Sequence, residues 1–235
     1  MTSATEHVIV VLRFTILVVL IAALGSHLSF AAGPDSNAED LANKIQSRYE
    51  HTADLSADFT QTLLIEGFET PMQSSGRISI KKPGRLYWEY RDPQAEHIYV
   101  NGDRVAFYTP AHNQVIQATL SRLAESRAPL HLLQGATRLR EHFELEQVEP
   151  GDAQDNDRLQ WLGLRPKEDG GVESRRRIVI GVDSKNHYIR TVGMHELNGN
   201  VTIIHFSNIT ANSNLPDSLF HCDMPTDVEI IQDLP

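Results

Sequence analysis

QSSGRISIKKPGRLYWEY, residues 73–90, decides how the rest of the chain is read. Lys82-Pro83-Gly84 punctuates its middle, and apolar and polar residues alternate on either side, the pattern of two strands joined by a tight turn. In the first arm Ile78 and Ile80 share a face opposite Arg77, Ser79 and Lys81. In the second, Leu86, Trp88 and Tyr90 lie opposite Tyr87 and Glu89. One face is apolar and the other solvated, so this hairpin needs something to cover one side of it.

The same period of two extends outward. Upstream, Leu55, Ala57, Phe59, Gln61, Leu63 and Ile65 alternate with Ser56, Asp58, Thr60, Thr62 and Glu66, which predicts a long half-buried strand with Leu64 as the exception and Gly67 at its end. Before it, Ser36 and Glu39 read as a capping box, and Leu41, Ile45 and Tyr49 fall on one side of an amphipathic helix of about four turns. Downstream, Ile98 and Val100 run into Asn101-Gly102, a dipeptide suited to a type I′ hairpin. Val105, Phe107 and Thr109 form the return strand, and residues 115–118 a further short one.

The alternation then stops. Leu120, Leu123 and Ala124 have helical spacing, and Pro129, Leu130, Leu132, Leu133 and Gly135 mark a second short helical piece, suited to a fixed cap on the sheet or to a lid that shifts. Strands resume at 143–149, 159–164, 178–182, 189–196 and 201–209, with Asn198-Gly199 as another hairpin, and a final strand is predicted at 228–231. Ten or eleven strands follow from this reading, with no shift in composition that would divide residues 32–235 into two domains. An antiparallel sheet of that size must curl or close. The expected fold is therefore mainly β with some α: a curled antiparallel meander whose concave side is covered by short helices.

Charge and composition exclude several classes. A formal net charge of −10 is the wrong sign for nucleic acid, which calls for a basic stripe; the one basic run, Arg175-Arg176-Arg177, is short and reads as a solvated strand face. No Gly-x-Ser-x-Gly elbow, Gly-rich phosphate loop or His-Glu-x-x-His pair is present, so no enzyme is predicted. The eleven histidines, among them His131, His142, His195, His205 and His221, lack ligand spacing, and neither a metal nor a cofactor is expected.

The first 31 residues read as a cleavable export signal. Arg13 precedes an apolar run at 14–24 that is too short for a bilayer span, and Ser29-Phe30-Ala31 offers small residues for cleavage after Ala31. The single cysteine, Cys222, permits no internal disulfide and lies too far along the chain for an N-terminal lipid anchor. An exported, untethered domain at residues 32–235 is the expectation.

The order of motifs resembles the periplasmic outer-membrane lipoprotein carrier family, LolA. The resemblance is carried by Phe59-x-Gln61, by Gly76 followed by Lys81-Lys82-Pro83-Gly84-Arg85-Leu86-Tyr87-Trp88-Glu89-Tyr90, and by Pro93. It continues through Asn101-Gly102, Phe107-Tyr108-x-Pro110, Gln114-Val115, Pro129-Leu130-x-Leu132-Leu133-x-Gly135, Asn198-Gly199-Asn200-Val201-Thr202, Phe206-Ser207-Asn208 and Pro225-Thr226-Asp227-Val228. It implies an incomplete β-barrel whose helices close over a hydrophobic cavity for lipoprotein acyl chains. Cargo would be received from an inner-membrane transporter (LolCDE) and passed to an outer-membrane receptor (LolB). Where the family often has an arginine before the turn proline, holding the lid shut, this chain has Lys82, with Arg85 beyond the proline. A lysine is a compact hydrated point charge and not a planar fork of donors, so the latch role extends to Lys82 or Arg85, or lapses, leaving both as solvated turn residues.

On that reading the acyl-binding lining comprises Phe59, Leu63, Ile78, Ile80, Leu86, Trp88, Val105, Phe107, Ile178, Ile180, Ile204 and Phe206, with Leu130 and Leu133 from the helical cover. Apolar alternation looks the same for a cavity wall and for a solid core. Leu86→Glu separates the two: a cavity wall would tolerate it in folding and fail in cargo handling, and a core would misfold. A carrier of other lipids or glycolipids, or a lipoprotein-sensing regulatory module of the same fold, shares these features. A carrier that hands over bulky cargo is most simply a monomer.

Overall fold

The computed structural model describes residues 34–119, 139–148, 158–167 and 177–232, all within one compact unit. Helix α1 (Pro34–Glu50) leads into β1 (Asp54–Leu64), β2 (Met72–Lys81), β3 (Arg85–Asp92), β4 (Glu96–Asn101), β5 (Arg104–Thr109) and β6 (Gln114–Thr119). The short α2 (Leu139–His142) precedes β7 (Phe143–Gln147), and β8 (Leu159–Pro166), β9 (Arg177–Asp183), β10 (Ile189–His195), β11 (Val201–Ala211) and β12 (Glu229–Gln232) complete the order. The predicted helical pieces at 120–135, and with them Leu130 and Leu133, lie outside the described residues, as does the export signal.

All twelve strands form one open sheet in the order β12-β6-β5-β4-β3-β2-β1-β11-β10-β9-β8-β7, with β12 and β7 at its two edges. The predicted meander and incomplete barrel are borne out, with more strands than expected and one parallel step, since β12 runs parallel to β6. The hinge of the arrangement is β1, which pairs with β2 on one side and with the distant β11 on the other. Two long strands of eleven residues thereby hold the two halves of the chain together along Phe59↔Phe206 and Gln61↔Ile204.

Local details depart from expectation for identifiable reasons. Helix α1 begins at Pro34, where a missing N–H costs nothing, so Ser36 falls inside its first turn and is not its N-cap. In the β4–β5 hairpin Asn101 still pairs with Arg104, and of the turn residues Gly102 has a positive φ of +62°. This is the glycine-first arrangement of a II′ turn, not the I′ turn predicted at Asn101-Gly102.

Register places one continuous apolar face across the sheet. Leu55↔Ile80↔Leu86↔Val100↔Val105 and Ala57↔Ile78↔Trp88↔Ile98↔Phe107 run across β1–β5. Ile204↔Val192↔Ile180↔Leu162 continues it through β11–β8. Helix α1 packs on this face over β7 and β8, burying Ala38, Leu41, Ala42, Ile45 and Tyr49 in the same core. Leu41 and Ile45 each contribute about 1.5–3 kcal/mol on burial.

The opposite face carries a smaller cluster that the sequence reading did not foresee. The segment 217–220 forms a single 3₁₀ turn against β3 and β4, with Phe220 buried and Val115 buried on β6. Beneath it Tyr87, Tyr99, His97 and Tyr108 stack, with Tyr87 and Tyr99 ring centres 4.7 Å apart and His97 and Tyr108 5.8 Å apart.

Candidate functional site

The apolar face is the candidate site, and its centre is aromatic. Phe59 of β1 lies 4.8 Å from Trp88 and 5.2 Å from Tyr90 between ring centres, and Phe206 of β11 lies 6.5 Å from Trp88. Gly76 makes this approach possible: a Cβ there would sit 1.8 Å from the Glu89 carbonyl oxygen and 3.0 Å from the Phe59 ring. The bulge between Ser75 and Gly76 in the β2–β3 ladder marks the same point. On the rim of the cluster the Tyr90 hydroxyl donates to Gln61 Oε1 at 3.0 Å, so the polar end of that ring is satisfied.

Of the predicted lining, Phe59, Ile78, Ile80, Leu86, Trp88, Val105, Ile178, Ile180, Ile204 and Phe206 are all buried in one core cluster, and Phe107 packs against it partly buried. Leu63, near the end of β1, is half-buried. Leu86 is fully covered and Trp88 is 4% exposed. The face is thus covered in this state, and these side chains touch protein. Sequence reasoning left Val100, Ile98, Leu162, Leu164 and Val192 out of the lining, although Ile98 and Val100 stand directly opposite Trp88 and Leu86. Their alternation was visible; their register was not.

The two latch candidates part company. The Lys82 ammonium donates to the Tyr49 carbonyl at the C-terminal end of α1, joining the β2–β3 turn to that helix. Burial pushes the Lys82 pKa down. A cation at the negative end of a helix is favourably placed. Arg85 points to the other face, where it and Lys81 both reach Asp217 Oδ1 at 2.6 Å, and Lys81 also donates to the Leu215 carbonyl at 2.5 Å. Arg85 therefore holds the C-terminal segment on the outer face and does not meet α1.

The end of α1 is fastened at further points. Arg48 Nε donates to the Asn186 carbonyl at 2.6 Å while its guanidinium lies over the Tyr188 ring. The Ile189 N–H donates to the Tyr49 hydroxyl at 3.3 Å, and burial raises the pKa of that phenol. A cavity of about 10 Å³, room for a single water, lies between α1 and the sheet beside Tyr49, Leu55, Ile80 and Lys82. On the other side of α1 an open groove of about 430 Å³ is lined by Asn43, Lys44, Ser47, Arg48, His51 and His187, away from the apolar face. Among the described residues no three of His, Cys, Asp or Glu gather into a metal-sized group.

The family described as outer membrane lipoprotein carrier protein LolA matches residues 50–223. Among relatives, an outer-membrane lipoprotein carrier protein of Methylococcus capsulatus is 28% identical over 192 residues, covering 81% of this chain and 87% of the relative. One of Nitrosomonas europaea is 30% identical over 179 residues, covering 75% and 82%. Among solved structures, a conserved protein of Thermus thermophilus superposes with a TM-score of 0.54 at 10% identity, over 84% of this chain and 99% of that one, which shows a shared fold. A LolA superfamily protein of Nitrosomonas europaea aligns with a TM-score of 0.45 at 11% identity, over 79% and 98%. The match spans the hairpin at 73–90, the aromatic centre at Phe59 and Trp88 and the return strand β11, and the chain belongs to the outer membrane lipoprotein carrier protein LolA family.

Proposed function

We propose that this chain is a periplasmic carrier that shelters the acyl chains of lipoproteins against the apolar face of its sheet. It would move them from an inner-membrane transporter of the LolCDE type toward the outer membrane, and to a LolB-type receptor where one exists. Residues 1–31 would direct export and be removed, and residues 32–235 would act as a monomer without chemical turnover. The observation that carries this reading is the unbroken apolar face spanning β1–β5 and β8–β11, in a chain of the LolA family.

The energetics suit carriage. One acyl chain of roughly sixteen carbons gains on the order of 12 kcal/mol when its methylenes leave water. A carrier must also release, so the protein needs a competing state in which the face is covered by its own side chains. The buried lining is such a state, and the Lys82–Tyr49 contact is the proposed latch that favours it. Loading then requires the cover to yield, and the free energy of re-covering the face favours release.

The test is mass spectrometry of material co-purified with the protein from periplasmic extract. Acylated lipoprotein bound at one per chain supports the proposal. Phospholipid, glycolipid or free fatty acid in its place would make the chain a carrier of other lipids, and an empty protein under conditions where lipoproteins are exported would overturn carriage altogether.

A further inference from the structure

Among the described residues two buried side-chain donors lack a hydrogen-bond partner, the indole nitrogens of Trp88 and Trp161. Trp161 stands on the opposite side of β8 from the core residues Leu162 and Leu164, against Gly181. Trp88 stands at the centre of the apolar face. Its strand neighbours there are Ile78 and Ile98, and its ring neighbours are Phe59, Phe206 and Tyr90. The two isoleucines and two phenylalanines offer no side-chain acceptor. Tyr90 donates its hydroxyl to Gln61, and neither that oxygen nor any other acceptor among the described residues meets the Trp88 indole N–H.

An indole N–H can only donate, and a donor held away from water without an acceptor destabilises the state that contains it. Most other positions of this face carry Ile, Leu, Val or Phe, which fill space without that penalty. Unlike Trp161, Trp88 stands on the face proposed to take a ligand, so an acceptor arriving with that ligand can satisfy its donor. On a face suited to hydrocarbon, the acceptor that accompanies an acyl chain is the carbonyl oxygen at its head.

We propose that Trp88 Nε1 donates a hydrogen bond to the ester or amide carbonyl of a bound acyl chain, fixing how far the chain lies across the sheet. The inference rests on the carrier reading above and deepens it. Its consequence is selectivity: acyl chains would be preferred over alkyl chains of equal length, because the ether-linked chain leaves the carbonyl acceptor out. A site that donates to a ligand carbonyl discriminates against the analogue lacking it, since the donor is then left unpaired.

The experiment uses the mature chain carrying Trp161→Phe, which leaves one indole, labelled with ¹⁵N. A cysteinyl lipopeptide with two palmitoyl ester chains and its dihexadecyl ether analogue are titrated in parallel. The ester is expected to move the indole N–H proton resonance downfield and to bind about tenfold more tightly than the ether. Trp88→Phe is expected to erase that preference. Equal binding of the two probes with the same indole shift would overturn the inference and leave the carrier reading standing. Binding of neither probe would overturn the carrier reading and the inference with it.

Discussion

Leu86→Glu tests whether the apolar face is packed as the structure has it. Leu86 is fully buried between Ile80 and Val100 on the central strands. Removing it forfeits about 1.5–3 kcal/mol of apolar burial. A carboxyl in its place must stay protonated, its pKa raised by desolvation to about 8–9, whereas the unfolded chain ionises near 4.3. Holding it neutral at pH 7 therefore costs about 3.7 kcal/mol more, from 2.7 units at 1.36 kcal/mol each. The total, about 5–7 kcal/mol, is from about a third to all of the stability of an ordinary domain.

The sign in pH follows. The folded state of the variant binds more protons than the unfolded state at neutral pH, so its deficit shrinks as pH falls toward 4.3. Urea unfolding followed by circular dichroism, for wild type and variant at pH 7 and pH 4.5, measures this directly. We expect the difference between the two proteins to narrow by about 3 kcal/mol at the lower pH, and Leu86→Met to cost less than about 1.5 kcal/mol. A Leu86→Glu protein within about 1 kcal/mol of wild type at both pH values would refute the reasoning, because such a carboxylate would be in water or in an open hollow.

Gly76→Ala is expected to cost about 3–5 kcal/mol, since its methyl would need space 1.8 Å from the Glu89 carbonyl oxygen, in backbone that cannot yield without breaking the β2–β3 ladder; the urea midpoint reads this. Burial raises the Asp54 carboxyl, but the Ser213 and Asn214 N–H groups at 2.8 and 2.9 Å outweigh it and hold the pKa below 3.8. That stabilisation is complete above the ordinary aspartate range and is lost as pH falls through the lower folded value, so Asp54→Asn should cost about 1–2 kcal/mol at pH 7 and little at pH 2, by urea unfolding at both. Asp217→Asn removes the anion shared by Lys81 and Arg85, and labelling of the half-buried Cys222 by a thiol reagent should quicken severalfold with the core unfolding transition unmoved. Lys82→Ala should speed hydrogen exchange in the last turn of α1 and leave the centre of β3 protected, read by exchange mass spectrometry.

The residues 73–90 made the hairpin, its turn and its two faces readable, because alternation in a strand is a local property that each residue type reports for itself. The same logic found Phe59, Ile180 and Phe206, and all three lie on one face. It did not find which strands are neighbours. That β1 pairs with β11, from the far part of the chain, at Phe59↔Phe206 depends on how the whole sheet arranges itself, and no periodicity encodes it. Lys82 and Arg85 show the limit most plainly: close together in one turn, they reach Tyr49 and Asp217 on opposite sides of the sheet.

From the amino-acid order alone came the fold class, the family and the polarity of each strand, since these follow from side-chain type and spacing. Tertiary structure decided the register that aligns Leu55, Ile80, Leu86, Val100 and Val105, the covered state of the face they build, and the unpaired indole at its centre. The reason is physical: hydrophobicity drives a residue out of water without choosing its neighbour, whereas filling space and matching each donor with an acceptor are properties of the packed chain.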